Sequence, residues 1–585
     1  VSKLMDVWTN SIILGVASEF WMTRWLTTFW LIGLGILIGL LTLAALVGIF
    51  YLLSKLPWAG RWSQSGFAFW SGLVGSVIMT VLAAWGARPW FTAESGLQSD
   101  EWLLFSLALW PILGIVSWAW AYCGQARFLS ELGESLSRGV GGYLLGVLAT
   151  VCLLGLLCTF LVDEPWPMLR GLPGVFRFGE TTETFTVPPA DESGRDGSFF
   201  PVPLRYDPRY IARIVIESDK RLLLADSPQI EQVSGTPVQL EARSELVWES
   251  QSSAPPPIPM VVGGNVFAQN LEIDPATIRF LIKTVPPYPE TVSVYLIAAG
   301  VVILGLAWML SMAAAPRLAA IAASAAKNEL TQPLPMILML LGTLLLVSFV
   351  HLPYNTQGED IKLLKDCGLT LILIICLFQG VWSASSSVSD EIEGRTALTL
   401  MSKPVLRRSF ILGKMLGIFW VLLLLVLFLG AILLLAVAYK PIVDARETQN
   451  DMPLWQACHM ETMHTLPGLL MVLLQATTLS TLAVALATRV PPLANFAICF
   501  TIYLIGHLTP AIVDSTADAF PIIQFVAQLT AVLVPTLDWF SMDKAIDSGQ
   551  GVPVVYLSGL FLYSILYTAI AVFLGLLLFE DRDLA

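Results

Sequence analysis

Long uninterrupted apolar runs, rather than alternation, dominate this chain. Runs long enough to cross a bilayer as helices lie at about 27–53, 66–86, 103–121, 140–162, 291–314, 334–352, 367–387, 411–438, 466–488, 493–513 and 554–579. Each approaches the roughly 20 residues that span about 30 Å of hydrocarbon. A further apolar stretch, Phe520–Val534, ends at Pro535 and Asp538 and reads as a re-entrant or surface helix. Residues 1–25 mix Trp, Asp, Glu and Arg with apolar positions and suit the bilayer surface. The pattern changes between 163 and 290, where Pro, Asp, Glu, Ser and Arg are frequent. Segments such as Ile211–Glu217 and Val238–Arg243 alternate there with a period of two, the signature of half-buried strands. Pro255-Pro-Pro-Ile-Pro259 adds a stiff connector or loop. The predicted fold class is an all-α polytopic membrane protein of about eleven transmembrane helices, with a β-rich domain, a small sandwich, inserted at about 163–290.

Composition supports this reading. The 585 residues are 56% hydrophobic and only 13% charged, against about a quarter charged in soluble domains. The net charge of −12 argues against nucleic acid as a partner, because phosphate binding needs a basic face. Several of the 20 Trp (Trp25, Trp30, Trp58, Trp62, Trp85, Trp90) lie near run ends, as in an interfacial aromatic belt. Cys152, Cys158, Cys376 and Cys499 fall inside apolar runs and the 163–290 segment has no Cys, so no disulfide framework is implied. The start lacks the features of a cleavable signal peptide. Val1 in place of Met fits an alternative start codon and a bacterial source.

The most charged short segment outside 163–290 is Asp390–Lys414, DEIEGRTALTLMSKPVLRRSFILGK. Asp390, Glu391 and Glu393 come first; Arg395, Lys403, Arg407, Arg408 and Lys414 follow. Acid early and base late suits a helix dipole, and Pro404 stops or kinks the helix between the two groups. Ile392, Leu398, Leu400 and Met401 give it an apolar face. A basic cytoplasmic loop flanked by spans has the same composition. The order Glu-x-Glu-Gly-Arg-Thr, Leu-x-Leu-Met-Ser-Lys-Pro-Val, Arg-Arg-Ser-Phe-Ile-Leu-Gly-Lys, however, resembles the coupling loop of type-2 (ABC-2) ABC transporter permeases. In that family a short helix between the second and third spans docks on a separate ATPase subunit. The resemblance implies that Glu391, Glu393, Gly394, Thr396, Pro404, Arg407 and Lys414 form the ATPase-coupling surface. Within it, Glu391 and Glu393 offer carboxylates to the partner, Gly394 permits close backbone approach, and Arg407 and Lys414 anchor the third span at the headgroups.

The resemblance continues over residues 316–585. Ala315–Leu330, a small-residue helical segment with Arg317 and Glu329 near its ends, is similar to the family's elbow helix; it also reads as the frayed end of the preceding span. Tyr503…Gly506-His507 and Leu533–Phe540 resemble the fifth span and the turn before the sixth. The implied organisation is a membrane region of about four helices at 1–162, the β-rich domain at 163–290, a connecting helix at 291–315, and a six-helix permease unit at 316–585. With 390–414 cytoplasmic, the C-terminus is also cytoplasmic and the 163–290 domain extracytoplasmic. Lys55, Arg61, Arg127, Arg138 and Arg489 then fall inside, and Lys362, Lys365, Lys440 and Arg446 outside. The expected location is the inner (plasma) membrane. The expected partners are an ABC ATPase subunit, lipid and a second permease, identical or sibling.

The sequence contains no Gly-x4-Gly-Lys-Ser/Thr phosphate loop to hold ATP in that way; the resemblance then implies that ATP and Mg are held by a separate partner subunit. No catalytic, cofactor-binding or metal-binding residue is assigned to this chain. Cys458-His-Met-Glu-Thr-Met-His464 is a soft-ligand run whose His459/Met463 and Met460/His464 pairs suit copper(I); the reading preferred here is a span entrance that is rich in Met and His. Gln379 and Gln475 lie inside apolar runs, as pathway lining or as interhelical hydrogen-bonding groups. Asp366 reads as solvated at a span end. A polytopic exporter permease is the leading reading. The alternative is a non-transporting signalling or mechanotransmission module whose outer domain binds a protein or polysaccharide.

Overall fold

The computed structural model describes residues 21–56, 61–63, 66–93, 99–122, 133, 136, 139–162, 165–173, 180–189, 200–204, 210–225, 237–249, 266–272, 274–286, 288–352, 359–389, 407–449, 451–516 and 520–580. The chain divides into a helical unit, residues 1–163 with 293–585, and a second unit, residues 164–292.

In chain order the helical unit begins with α1 (Trp21–Ser54), α2 (Phe67–Ala93), α3 (Ser99–Tyr122) and α4 (Val140–Leu157). Beyond the second unit come α5 (Val292–Ala314), α6 (Pro316–Thr331), α7 (Pro333–His351) and α8 (Asp360–Ala384). The last five are α9 (Arg407–Glu447), α10 (Trp455–Ala487), α11 (Pro492–Ser515), α12 (Pro521–Leu533) and α13 (Val554–Glu580). Among the described residues ten helices are long and apolar enough to cross a membrane, and up to eleven if α12 and Asp538–Ser548, bent by 53°, count as one span. That bend matches the interruption expected after Val534. The run expected at 367–387 is α8, which carries Asp360, Lys362, Lys365 and Asp366 in its first two turns and ends in a π turn at Ser385–Ser389.

Two helices outrun their predicted spans. α9 continues past 438 to Glu447, and α10 starts at Trp455 rather than near 466. The sequence pattern breaks where charges enter, at Lys440 and Glu461. The helices continue because those charges are paired inside the bundle: Lys440 with Asp360 and Asp444, and Glu461 with Lys365. Arg407 Nη1 donates to the Glu580 carbonyl at 2.9 Å and Arg489 Nε to the Leu578 carbonyl at 2.8 Å. These bonds gather the starts of α8 and α10 with the end of α9 at one end of the bundle. At the other end they gather the start of α9 and the ends of α10 and α13.

The N-terminal helices share this core. α1 lies along α4, α9 and α10, and α3 along α2 and α13. α1 and α4 touch backbone to backbone: a Cβ on Gly33 would stand 2.8 Å from the Gly155 Cα, an approach only small residues allow. Trp308 of α5 meets Trp420 of α9 edge to face, ring centroids 4.6 Å apart. Phe50, Leu306, Met309, Val421 and Leu424 belong to the same buried cluster. Helices α1, α3, α4 and α5 therefore share a packed core with the later helices.

Among its described residues the second unit holds eight strands: β1 (Glu180–Val187), β2 (Phe200–Val202), β3 (Ile211–Ser218), β4 (Leu222–Ala225), β5 (Val238–Leu240), β6 (Glu245–Glu249), β7 (Val266–Asn270) and β8 (Ala276–Thr284). They form two antiparallel four-stranded sheets, ordered β1-β8-β3-β6 and β2-β7-β4-β5. Alternate residues of β3 and β8 (Ile214, Ile216, Ile278, Phe280, Ile282) bury against Leu222, Leu224, Val266 and Ala268 of the other sheet. This is the sandwich that the period-two alternation predicts.

Candidate functional site

Polar chemistry concentrates at three levels of the α8–α9–α10 bundle. The first is where α8 ends and α9 begins. Of the predicted coupling residues, Glu391, Glu393, Gly394, Thr396 and Pro404 lie outside the described residues, so only their frame is on view. Arg407 opens α9 and is exposed. Lys414, expected at the headgroups, is only 5% exposed, and its ammonium lies over the Phe410 ring at 5.7 Å.

The amphipathic helix α6 packs on this same end. Its buried face is Ala319, Ala322, Ala325, Ala326 and Glu329. Facing it, α9 presents Gly413 and Gly417, where a Cβ would lie 2.6 Å from Ile321 Cγ2 and 2.8 Å from the Ala322 carbonyl oxygen. Glu329 Oε2 accepts from Ser383 Oγ at 2.7 Å, and Ser383 Oγ accepts from Gln379 Nε2 at 2.8 Å. Asn495 Nδ2 of α11 donates to Ser385 Oγ at 2.9 Å and to the Ala483 carbonyl at 3.0 Å. The last turn of α8 and the π turn after it are thus tied to α6, α10 and α11 by buried hydrogen bonds. Ser383 and Asn495 were not singled out from sequence; an Asn within an apolar run was the available signal.

At mid-bundle, Gln475 Nε2 of α10 lies 2.9 Å from His507 Nε2 of α11, so the imidazole accepts there. Tyr503 packs edge-on to His507, ring centroids 4.7 Å apart. The Leu537 backbone N–H donates to the Gly506 carbonyl at 3.1 Å, and the Thr536 N–H to Tyr563 Oη at 2.9 Å. The two stretches singled out separately, Tyr503–His507 and Leu533–Phe540, therefore meet. Gln475 and Gln379 both serve as hydrogen-bonding groups between or within packed helices.

The third level is the opposite end of the bundle. Lys440 is 1% exposed, with its ammonium 3.5 Å from Asp360 Oδ2 and 2.9 Å from Asp444 Oδ1. Lys365, 7% exposed at its side chain, pairs with Glu461. Lys362 pairs with Glu359 at 2.9 Å and also donates to the Asp547 carbonyl at 2.9 Å. Expected in outer loops, Lys365 and Lys440 instead lie buried on helices, where each meets a carboxylate from another helix. Asp366 is a second correction. It is part-buried, and burial first, then the neighbouring Asp543 and Asp547, push its carboxyl above the usual range.

Asp360, Asp444 and Glu447 bring one oxygen each within 4.8 Å of one another. The Lys440 ammonium already bridges two of the three, so the set reads as an ion-pair cluster rather than a cation site. In the Cys458–His464 run, Cys458 and His459 are buried whereas Met460 is 51% exposed. The soft ligands are therefore spread around the helix, and the structure does not assemble them into one site.

The family profile described as ABC-2 family transporter protein matches residues 291–584, from the start of α5 to beyond the end of α13. No curated protein matches the chain.

Proposed function

Since the chain belongs to the ABC-2 transporter family, as a multi-pass permease subunit, we propose that it is the membrane half of an exporter driven by a separate ABC ATPase. In this reading residues 390–406 and the start of α9 form the ATPase contact on the cytoplasmic side. The β-rich unit lies outside the inner membrane, and two permeases, identical or sibling, face a pair of ATPase subunits. ATP and Mg are held by those subunits.

The observation that carries the proposal is the fastening around this segment. On one side it follows the end of α8, bonded through Ser383 to Glu329, and a π turn bonded through Ser385 to Asn495. On the other it opens α9, whose Gly413 and Gly417 lie against α6. A push on 390–406 would reach α6, α8, α9 and α11 together, which is what coupling to a motor requires.

Glu391→Arg/Glu393→Arg tests this. Reversing both charges is expected to weaken co-purification of the ATPase about tenfold or more and to depress its ATP turnover. Undiminished association and turnover would refute the assignment. A second reading, force transmission without transport, is motivated by the β-rich unit between α4 and α5, which lies outside the residues the family profile matches. ATP-dependent solute uptake by inside-out vesicles would exclude it.

A further inference from the structure

Where α8 and α10 begin, a cavity of about 150 Å³ opens between them and the turn at 542–550. Lys362 and Lys365 come from α8, Glu461 and His464 from α10, and Gln550 from the turn, with Glu359 at the rim. Glu359 and Gln550 are exposed, so the mouth opens to solvent. Gly549, at φ +66°, makes the left-handed turn that closes the wall, a conformation glycine adopts without strain.

Two features of this cavity point to a ligand. The His464 imidazole and the Gln550 side-chain amide make no hydrogen bond with any described residue, although both line the space. Two ammonium groups and two carboxylates also line it, already matched as Lys362–Glu359 and Lys365–Glu461. Their charges sum to zero, and that decides what the cavity accepts. A simple anion would have to draw Lys365 away from Glu461 and leave that carboxylate, 39% exposed at its side chain, without its cation. A simple cation would strand Lys365 in the same way, and such strandings are costly. A ligand carrying both charges inserts between the partners and replaces each contact one for one.

We propose that this cavity binds a small zwitterion with adjacent ammonium and carboxylate groups, of the kind found in an α-amino acid. Its carboxylate lies toward Lys365 and Lys362, its ammonium toward Glu461 and Glu359, and His464 and Gln550 complete the hydrogen bonding. This site is a matter of binding alone and holds whichever way transport runs.

The test uses the full chain in detergent or nanodiscs, with radiolabelled glycine and L-alanine as probes. The readouts are equilibrium binding and thermal melting. The expected result is saturable binding that raises the melting midpoint, with acetate and methylammonium each at least about tenfold weaker. Lys365→Gln and Glu461→Gln should each weaken glycine binding about tenfold or more. Because either of these may fail to fold, His464→Ala and Gln550→Ala provide the second arm. These should weaken binding severalfold while leaving the unliganded melting midpoint unchanged. Absence of saturable binding for both amino acids, acetate binding as tightly as glycine, or unaltered affinity in the His464→Ala and Gln550→Ala proteins would each overturn the proposal.

Discussion

Lys440 shows how single residues set the structure at this end of the bundle. An ammonium that is 1% exposed is tolerated only because Asp360 and Asp444 flank it; an isolated buried charge would be strongly disfavoured. Lys440→Met removes the shared cation and leaves two carboxylates facing each other. The expected cost is about 3–5 kcal/mol, read as a lower melting midpoint and a lower yield of monodisperse protein. Adding Asp360→Asn and Asp444→Asn to Lys440→Met should recover most of that loss, because no unpaired charge remains. A single substitution that melts like the parent would show that the triad holds nothing together. None of this was legible in the sequence. Lys440 follows an apolar run and looked like a loop cation, and its partner Asp360 is 80 positions away.

Between helices, the contact of α6 with α9 is set by the absence of side chains. At Gly417 the nearest obstacle to a Cβ is the backbone oxygen of Ala322, 2.8 Å away, and a backbone cannot rotate aside. Gly417→Ala is expected to push α6 off α9 and cost about 1–3 kcal/mol, with a matching fall in stimulated ATP turnover. Gly300→Ala in α5 and Gly559→Ala in α13 are the comparison, since nothing lies within 4 Å of a Cβ at either position. They should melt within about 0.5 kcal/mol of the parent. Equal effects at all three positions would mean that helix packing at Gly417 is not what the substitution disturbs. The Gly413–Gly417 spacing was visible in the sequence, as was the amphipathic character of α6, but not that one serves the other. Apolar run lengths located most spans and period-two alternation located β3 and β5. The true ends of α9 and α10 were hidden because charge was taken as the end of a span.

For the whole molecule, the sequence left residues 1–315 without a role, because the resemblance began at 316 and apolar runs do not say which helices touch. The packing of α1 on α9 and α10, and of Trp308 on Trp420, joins α1 and α5 to the later helices. Parity gives a sharp way to measure direction across the membrane. Between Glu249 in β6 and Ser402 the chain passes through α5, α6, α7 and α8, and apart from the short amphipathic α6 three helices remain. If all three cross, an odd number of crossings puts these two residues on opposite sides, whichever side is which. With the native cysteines replaced, Glu249→Cys should react with a membrane-impermeant maleimide only from outside the cell. Ser402→Cys should react only in inside-out vesicles. Labelling of both from one side would mean that one of the three helices, with α8 the first suspect for its charged opening turns, does not cross. Exchanged sides would invert the molecule and put residues 390–406 out of reach of any cytoplasmic ATPase.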